Sequence, residues 1–429
     1  MNVLIIGSGG REQAIANAFS RSKKTDRIIV APGNAGIARH YSTITLPGFG
    51  DILSYCEQEQ IGLVFIGPEI PIEAGLADYL RSCSIPVVGP SAKAARIETS
   101  KSFAKDLMQK YNIPTARGWI ADNFETAVSI IDKSHFPIVL KADGLAAGKG
   151  VFIAGDRVEA RRFLQDTMIN GCFGSAGNSV LIEEFLEGWE VSLFVFCDGE
   201  NFRTTLFSQD HKQLHDNDMG PNTGGMGAFA PVPNAEAYRE EIEQKIIKPV
   251  LAALKSEGCP YQGVLYCGLM ITAEGAKVIE FNCRFGDPET QALLPLLNSD
   301  FLDVCLHITQ NKVDKLRLEW IEDSSVAVVL ASDGYPGTYK KGLPIQIEPS
   351  IEDSVIYAGV DSGKEHGAMS LELITAGGRV LNILGRGKDL QQARSDAYSK
   401  VVLVQFDGMT FRKDIGLRKN EIPEPIRDL

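Results

Sequence analysis

The chain reads as a multidomain protein of mixed α/β and α+β class, with an amino-terminal open parallel sheet, a central region of antiparallel sheets and a small carboxy-terminal α+β domain. Three observations predict this. Its 429 residues exceed what one hydrophobic core organises. Up to about residue 110, short apolar runs alternate with helical patterns. Beyond Ile113-Pro114 the apolar runs follow one another with fewer helices between them.

Taken in order, Val3–Ile6, Ile28–Val30, Leu63–Ile66 and Pro86–Val88 are strand candidates; helical patterns run over Arg11–Ser22, Glu73–Arg81 and Ala92–Lys110. Alternation of this kind predicts a parallel sheet. The strand candidates end at Gly7, Gly33, Gly67 and Gly89, which puts permissive backbone at the edge where open α/β sheets bind ligands. Runs at Ile138–Lys141, Val151–Ala154, Val180–Glu184, Val191–Cys197 and Phe202–Phe207 then predict antiparallel strands, followed by Val264–Thr272 and Lys277–Phe281. Helical patterns at Thr290–Leu297 and Phe301–Gln310 close the central region. From Ser325, strands at Val326–Ala331, Ser370–Thr375 and Arg379–Leu384 precede a helix over Leu390–Val402. The expected domains are 1–102, 103–324 with a lid subdomain at about 122–190, and 325–429.

With 43 basic against 55 acidic residues the net charge is −12, and no basic run outweighs it, so a nucleic-acid polymer is excluded as a partner. No apolar stretch approaches the ~18 residues of a membrane span. The eight cysteines form no Cys-x-x-Cys pair and mostly lie in apolar runs, which reads as reduced core thiols. Met1–Gly7 lacks a basic leader, so the expected compartment is the cytoplasm.

Four segments carry chemistry. Gly7-Ser8-Gly9-Gly10-Arg11-Glu12 departs from the dinucleotide fingerprint, since Glu12 replaces its third glycine and no acidic residue closes the second strand. What is left is either a phosphate seat at a helix start or a tight turn. Ala142–Gly150 links two strands with three glycines and Lys149; it has the wrong spacing for a Walker A loop and reads as a flexible lid or as an ordinary hairpin. Lys141 ends the preceding strand, its ammonium either aimed at the ligand of that loop or solvated. In Lys277–Phe285, period-2 geometry sets Glu280, Asn282 and Arg284 on one face and Ile279, Phe281, Cys283 and Phe285 on the other. A carboxylate and an amide oxygen two residues apart suit a hard divalent cation, with Arg284 a fork for an oxyanion; the alternative is a solvated face. Asp287, before Pro288, is expected to cap a helix, with a site role open. His211 and His215 lack the glutamate of a zinc-protease helix, and the remaining histidines read as structural.

Together, Gly9-Gly10-Arg11-Glu12, Gly67-Pro68-Glu69, Leu140–Gly150, Ser208–Lys212, Gly220–Gly227 and Glu280–Glu289 closely resemble the glycinamide ribonucleotide synthetase (phosphoribosylamine-glycine ligase) family of the ATP-grasp superfamily, from end to end. The resemblance implies an ATP-grasp central fold and ATP-dependent ligation of glycine to 5-phosphoribosylamine through glycyl phosphate. It implies ATP beside Lys105, Lys141, Gly148, Lys149 and Gly150, with Glu183, Glu184, Phe185 and Leu186 passing the adenine and Glu190 meeting the ribose. Glu280 and Asn282 are expected to hold Mg²⁺ or Mn²⁺. Arg284 and Asp287, with Asp210, Lys212 and Gly225, are expected on the glycine side, and Gly9, Gly10, Arg11, Pro68 and Glu69 to face phosphoribosylamine. Arg284, Lys141 and Asp287 are the expected catalytic residues. Transient contact with the preceding pathway enzyme is left open. One position departs from the family pattern, since Gln13 stands where histidine is usual and cannot act as a cation.

Overall fold

The computed structural model describes residues 1–144, 150–365 and 368–417. The lid expectation over residues 143–150, with Gly148 and Lys149, therefore falls largely outside the described residues.

The amino-terminal sheet is parallel and five-stranded, in the spatial order Ser42–Thr43, Arg27–Pro32, Asn2–Gly7, Ile61–Ile66, Val87–Val88. Strand order reverses at Asn2–Gly7, so the crevice at its carboxyl end, between Gly7 and Gly67, is the topological switch point. The helix Gly10–Ser20 starts there. Its first turn is not an open phosphate seat. The Glu12 carboxylate folds back to accept the Gly9 N–H (2.7 Å), and Asp287 accepts the Arg11 N–H (3.2 Å). Gly67 makes room for Glu12, because a Cβ there would lie 2.1 Å from the carboxylate.

Two helical expectations are corrected. Ala92–Lys110 is two helices, Ala92–Thr99 and Lys101–Lys110, broken at Ser100, which is extended (φ −132°, ψ 106°) and whose hydroxyl accepts the Phe103 N–H. A serine that satisfies the next helix's amide ends the first helix. Glu73–Arg81 likewise splits into Glu69–Glu73 and Leu76–Ser82 around Gly75 at φ +89°.

A four-stranded antiparallel sheet, in the order Gly118–Ala121, Val180–Glu184, Ile138–Ala142, Val151–Ala154, packs one face on the helices Phe124–Ile131 and Arg157–Leu164 through Leu140, Ile182, Ala127 and Leu164. Because Val139 pairs with Glu183, Lys141 and Glu183 lie diagonally on the opposite face, toward the remaining structure. The largest sheet runs Gly275–Asn282, Gln262–Thr272, Trp189–Asp198, Phe202–Asp210, Gly227–Ala230, Ser324–Ser332, Arg379–Gly387, Val355–Tyr357. It passes without a break from the central strands into those after Ser324, by antiparallel pairing of Gly227–Ala230 with Ser324–Ser332. Gly227 permits that approach, since a Cβ would meet the Ala327 carbonyl at 2.7 Å. The carboxy-terminal residues therefore extend the central sheet and share its core. Among the described residues no helix is long and apolar enough to cross a membrane.

Candidate active site

Where the two antiparallel sheets face one another, and the switch point of the parallel sheet meets them, lies a cavity of about 420 Å³. Its walls can be followed from one end to the other. At the first end the Glu183 carboxylate sits between two ammonium groups, with Lys105 Nζ at 2.5 Å and Lys141 Nζ at 2.6 Å. Lys105 also donates to Thr115 Oγ1 and the Ala116 carbonyl (both 2.8 Å), and Lys141 to the Ile279 carbonyl (3.0 Å). Burial, which raises a carboxyl pKa, is overcome at Glu183 by Lys141 and Lys105, so the group stays below the ordinary carboxylate range. Burial lowers Lys105 against the pull of Glu183.

Next along the wall are Glu280 and Asn282. The Phe281 and Cys283 side chains turn into the core, as the period-2 expectation requires. Glu280 has no hydrogen-bond partner among the described residues. Burial pushes its pKa up, but Lys212, Lys141, Lys101 and Arg284 together hold it below the usual value. Asn282 donates through Nδ2 to the Phe281 carbonyl (2.9 Å), which fixes the amide with Oδ1 toward Arg284 Nη1 (3.2 Å). An unpartnered carboxylate and an oriented amide oxygen two residues apart form a hard-oxygen donor pair of the kind that would suit Mg²⁺ or Mn²⁺.

Arg284 occupies the centre. Its Nη2 donates to Glu98 (2.7 Å) and its Nε to Glu69 (3.3 Å), which fixes the guanidinium from both sides. Burial raises the Glu98 carboxyl, with the Glu69 charge adding to it, against Arg284. Lys212 pairs with Glu190 (2.6 Å), and burial pushes neighbouring Asp210 up to about 8, with Glu289, Glu190 and Glu280 adding to the shift against Lys212.

At the far end stand Arg11, Asp287 and Arg379. Asp287 is not a helix cap: Pro288 precedes the first turn of the helix Glu289–Leu293, and the carboxylate instead accepts the Arg11 N–H and Gln291 Nε2 (3.0 Å) and pairs with Arg379 (3.2 Å). Burial raises its pKa, but Arg379 and Arg11 hold it below the ordinary range. Arg11 itself is engaged by Glu12 (Nε, 2.7 Å) and the Phe285 carbonyl (Nη1, 3.1 Å).

Of the residues singled out from sequence, Arg11, Glu69, Lys105, Lys141, Gly150, Glu183, Asp210, Lys212, Glu280, Asn282, Arg284 and Asp287 line this one cavity. Glu190 reaches it through Lys212. Others stand beyond the lining: Gly9 and Gly10 against Glu12 and Gln291, Pro68 at a helix start, Glu184 paired with Arg117 (2.9 Å), Phe185 and Leu186 in the connection after the strand Val180–Glu184, and Gly225 against Pro288. Gln13 faces elsewhere. Its Oε1 accepts the Tyr357 N–H (2.6 Å) and its Nε2 donates to the Val355 carbonyl (3.4 Å), tying the first helix to a carboxy-terminal strand.

Sequence reasoning missed Glu98, Lys101, Glu289 and Arg379 as lining residues. Glu98 and Lys101 were hidden inside what reads as one amphipathic helix; the Ser-Lys pair after Thr99 was the available signal for its break. A larger open groove of about 1230 Å³ lies elsewhere, and two of its arginines are already engaged: Arg203 by the Leu316 carbonyl (2.9 Å), Arg239 by Glu236 and Thr204.

Two sheets closing on a cavity with a lysine pair, a hard-oxygen donor set and a central arginine define an ATP-grasp fold. A biotin carboxylase from Campylobacter jejuni has that fold in common with the chain, with a TM-score of 0.70 at 15% identity over 97% of this chain and 94% of the other. Family models described as phosphoribosylglycinamide synthetase N domain, ATP-grasp (A) domain and C domain match residues 1–98, 99–290 and 325–418. The chain belongs to the phosphoribosylglycinamide synthetase family. It is 44% identical to a phosphoribosylamine–glycine ligase of Caldanaerobacter subterraneus subsp. tengcongensis, over 97% of this chain and 99% of that protein. The crystal structure of a phosphoribosylamine–glycine ligase from Thermotoga maritima superposes with a TM-score of 0.85 at 35% identity, covering 97% of this chain and all of the other.

Proposed function

We propose that this chain ligates glycine to 5-phosphoribosylamine at the expense of ATP, giving glycinamide ribonucleotide, ADP and phosphate, a step of purine biosynthesis, and that it works in the cytoplasm. The observation that carries the reading is the linear order of the cavity: buried cations at one end, a fixed guanidinium at the centre, and the switch-point residues Arg11 and Glu69 beyond it.

Glycine carboxylate is a poor electrophile, because its charge repels an attacking amine. In the proposed sequence a carboxylate oxygen attacks the γ-phosphorus, the bond to ADP breaks, and glycyl phosphate results. The amine nitrogen then attacks the carbonyl carbon, phosphate leaves with the C–O bond, and nitrogen gives up a proton. Such transfer depends on positioning and charge neutralisation. Lys105 and Lys141 hold the nucleotide phosphates, and Glu183 keeps both ammonium groups in place. Glu183 to Leu186 run past the adenine, and Glu190 meets the ribose. Glu280 and Asn282 are the residues that would hold Mg²⁺ or Mn²⁺, and the ion would supply charge neutralisation to the phosphoryl transfer. Arg284, immobilised by Glu98 and Glu69, faces the oxyanion that develops on the glycine carboxylate. Asp287, with Asp210 and Lys212, binds the glycine side, and Arg11 with Glu69 faces the amine substrate. Handover of the short-lived amine by the preceding enzyme, through a transient contact, belongs to the same proposal.

Incubation with ATP, glycine and freshly generated phosphoribosylamine, followed by mass spectrometry, tests the reading. Glycinamide ribonucleotide should form in step with ADP and phosphate. Accumulation of AMP and pyrophosphate, or ATP cleavage indifferent to glycine, would sink it.

A further inference from the structure

Arg379 has no part in the reaction sequence above, yet it lines the cavity, where it pairs with Asp287 and makes no contact with the Lys105–Glu183–Lys141 cluster. It opens the strand Arg379–Gly387, more than ninety residues beyond the central site segment. One of its nitrogens is committed to the protein: Nη1 donates to the carbonyls of Gly224 (2.6 Å) and Asp287 (2.8 Å) and faces Asp287 Oδ1 at 3.2 Å. Tyr335 takes the other side of the same peptide segment, its hydroxyl accepting the Gly224 N–H at 2.9 Å. The guanidinium can lie against this loop because residue 224 has no side chain. A Cβ there would stand 3.1 Å from Arg379 Cζ and 3.2 Å from the Tyr335 hydroxyl.

The other two nitrogens, Nε and Nη2, carry three N–H donors, and neither makes a hydrogen bond among the described residues. The side chain is only 23% exposed and lines the cavity. A planar cationic fork, held rigid by one nitrogen and open at two, matches the geometry of a phosphate. Three anions must share this cavity if the proposed function holds: a triphosphate, a carboxylate and a ribosyl phosphate. The triphosphate falls to the two lysines and the Glu280–Asn282 pair, and the reacting carboxylate to Arg284. The ribosyl phosphate extends away from the attacking nitrogen and so belongs beyond Arg284, where Arg11 is already engaged through Nε and Nη1 by Glu12 and the Phe285 carbonyl.

We infer that Arg379 is the seat for the 5′-phosphate of the amine substrate, with Asp287 and the Gly224 carbonyl fixing the guanidinium that receives it. The inference rests on the proposed function and assigns to the carboxy-terminal strands a direct substrate contact.

The test compares two amines that differ only in the phosphate, phosphoribosylamine and ribosylamine, each generated freshly, at saturating ATP and glycine. In the Arg379→Gln enzyme kcat/KM for phosphoribosylamine should fall about 10- to 100-fold, the loss of one charge-assisted contact, chiefly through KM. For ribosylamine it should change by less than about threefold. Arg379→Lys keeps the charge without the fork and should lie between, and it carries the same comparison if the glutamine variant is unstable. An equal fall for both amines would make Arg379 a structural staple and overturn the assignment. So would a selective loss in Tyr335→Phe, which frees the Gly224 N–H and leaves the guanidinium in place. If the unaltered enzyme formed no amide from either amine, the proposed function itself would have failed, an outcome distinct from both.

Discussion

Replacing Glu183 by glutamine removes one charge and almost no volume from the most buried ionic cluster of the cavity. The side chains of Lys105, Lys141 and Glu183 expose 1%, 7% and 5% of their surface, so solvent screens little of the interaction. Removing one partner of a buried pair costs about 3–5 kcal/mol, because the remaining charge is left uncompensated. Both ammonium groups keep other acceptors, Thr115 Oγ1 and the carbonyls of Ala116 and Ile279, which argues for the lower figure. A loss of about 3 kcal/mol in a unit of roughly 400 residues that share one core, at ~2.1 cal/mol/K per residue, lowers its melting midpoint by about 3–4 °C. The triphosphate supplies negative charge to the same lysines, so ATP should raise the midpoint of the variant more than that of the parent. Calorimetry of Glu183→Gln with and without saturating Mg-ATP measures both effects. Glu184→Gln is the control, since its partner Arg117 is exposed and a surface pair contributes about 0–1 kcal/mol. If Glu183→Gln melted like Glu184→Gln, or if ATP failed to narrow its deficit, the cluster would not be the phosphate-holding end of the site.

Glu280→Ala should raise the Mg²⁺ concentration needed for half-maximal rate and lower turnover by orders of magnitude, with little change in melting temperature; unchanged turnover at limiting Mg²⁺ would refute the donor set. His211 is held down to about 4 by burial and by Arg412, and its Nε2 accepts the Gly416 N–H (3.1 Å), a bond that protonation destroys. Its folded pKa lies below the ordinary 6.5, so its contribution is complete above pH 6.5 and is lost as pH falls toward 4, about 3 kcal/mol in all. Urea unfolding of His211→Gln should show a correspondingly shallower loss over that interval. Gln13→His should cost about 1–3 kcal/mol by leaving the Tyr357 N–H unpaired, while kcat stays within about twofold; a large fall in kcat with stability intact would restore an acid–base role to this position.

The parallel sheet was legible because four of its five strands end in a glycine turn, whereas the two-residue edge strand Ser42–Thr43 is too short to leave a pattern. The face proposed to hold the metal was legible because strand geometry has a period of two, which separates Glu280 and Asn282 from Phe281 and Cys283 without any tertiary information. What escaped was set by contacts distant in sequence. Asp287 looks like a helix cap in its local context, but Arg11 and Arg379 approach it from 276 residues before and 92 after. The first turn of the opening helix looks like an anion seat until Glu12 is seen to occupy it. Continuity of the central sheet into the residues after Ser324 depends on the short strand Gly227–Ala230, four residues in glycine-rich surroundings that carry no strand pattern of their own.

The central claim is that glycine is activated as an acyl phosphate, and its most direct test follows the oxygen that has to move. Glycine labelled with oxygen-18 in both carboxylate positions is turned over with ATP and phosphoribosylamine, and the phosphate released is analysed by mass spectrometry. Attack of a carboxylate oxygen on the γ-phosphorus followed by C–O cleavage places one labelled oxygen in each phosphate and leaves the other in the amide. Unlabelled phosphate, with the oxygen lost from glycine recovered in AMP or in water, would contradict the account.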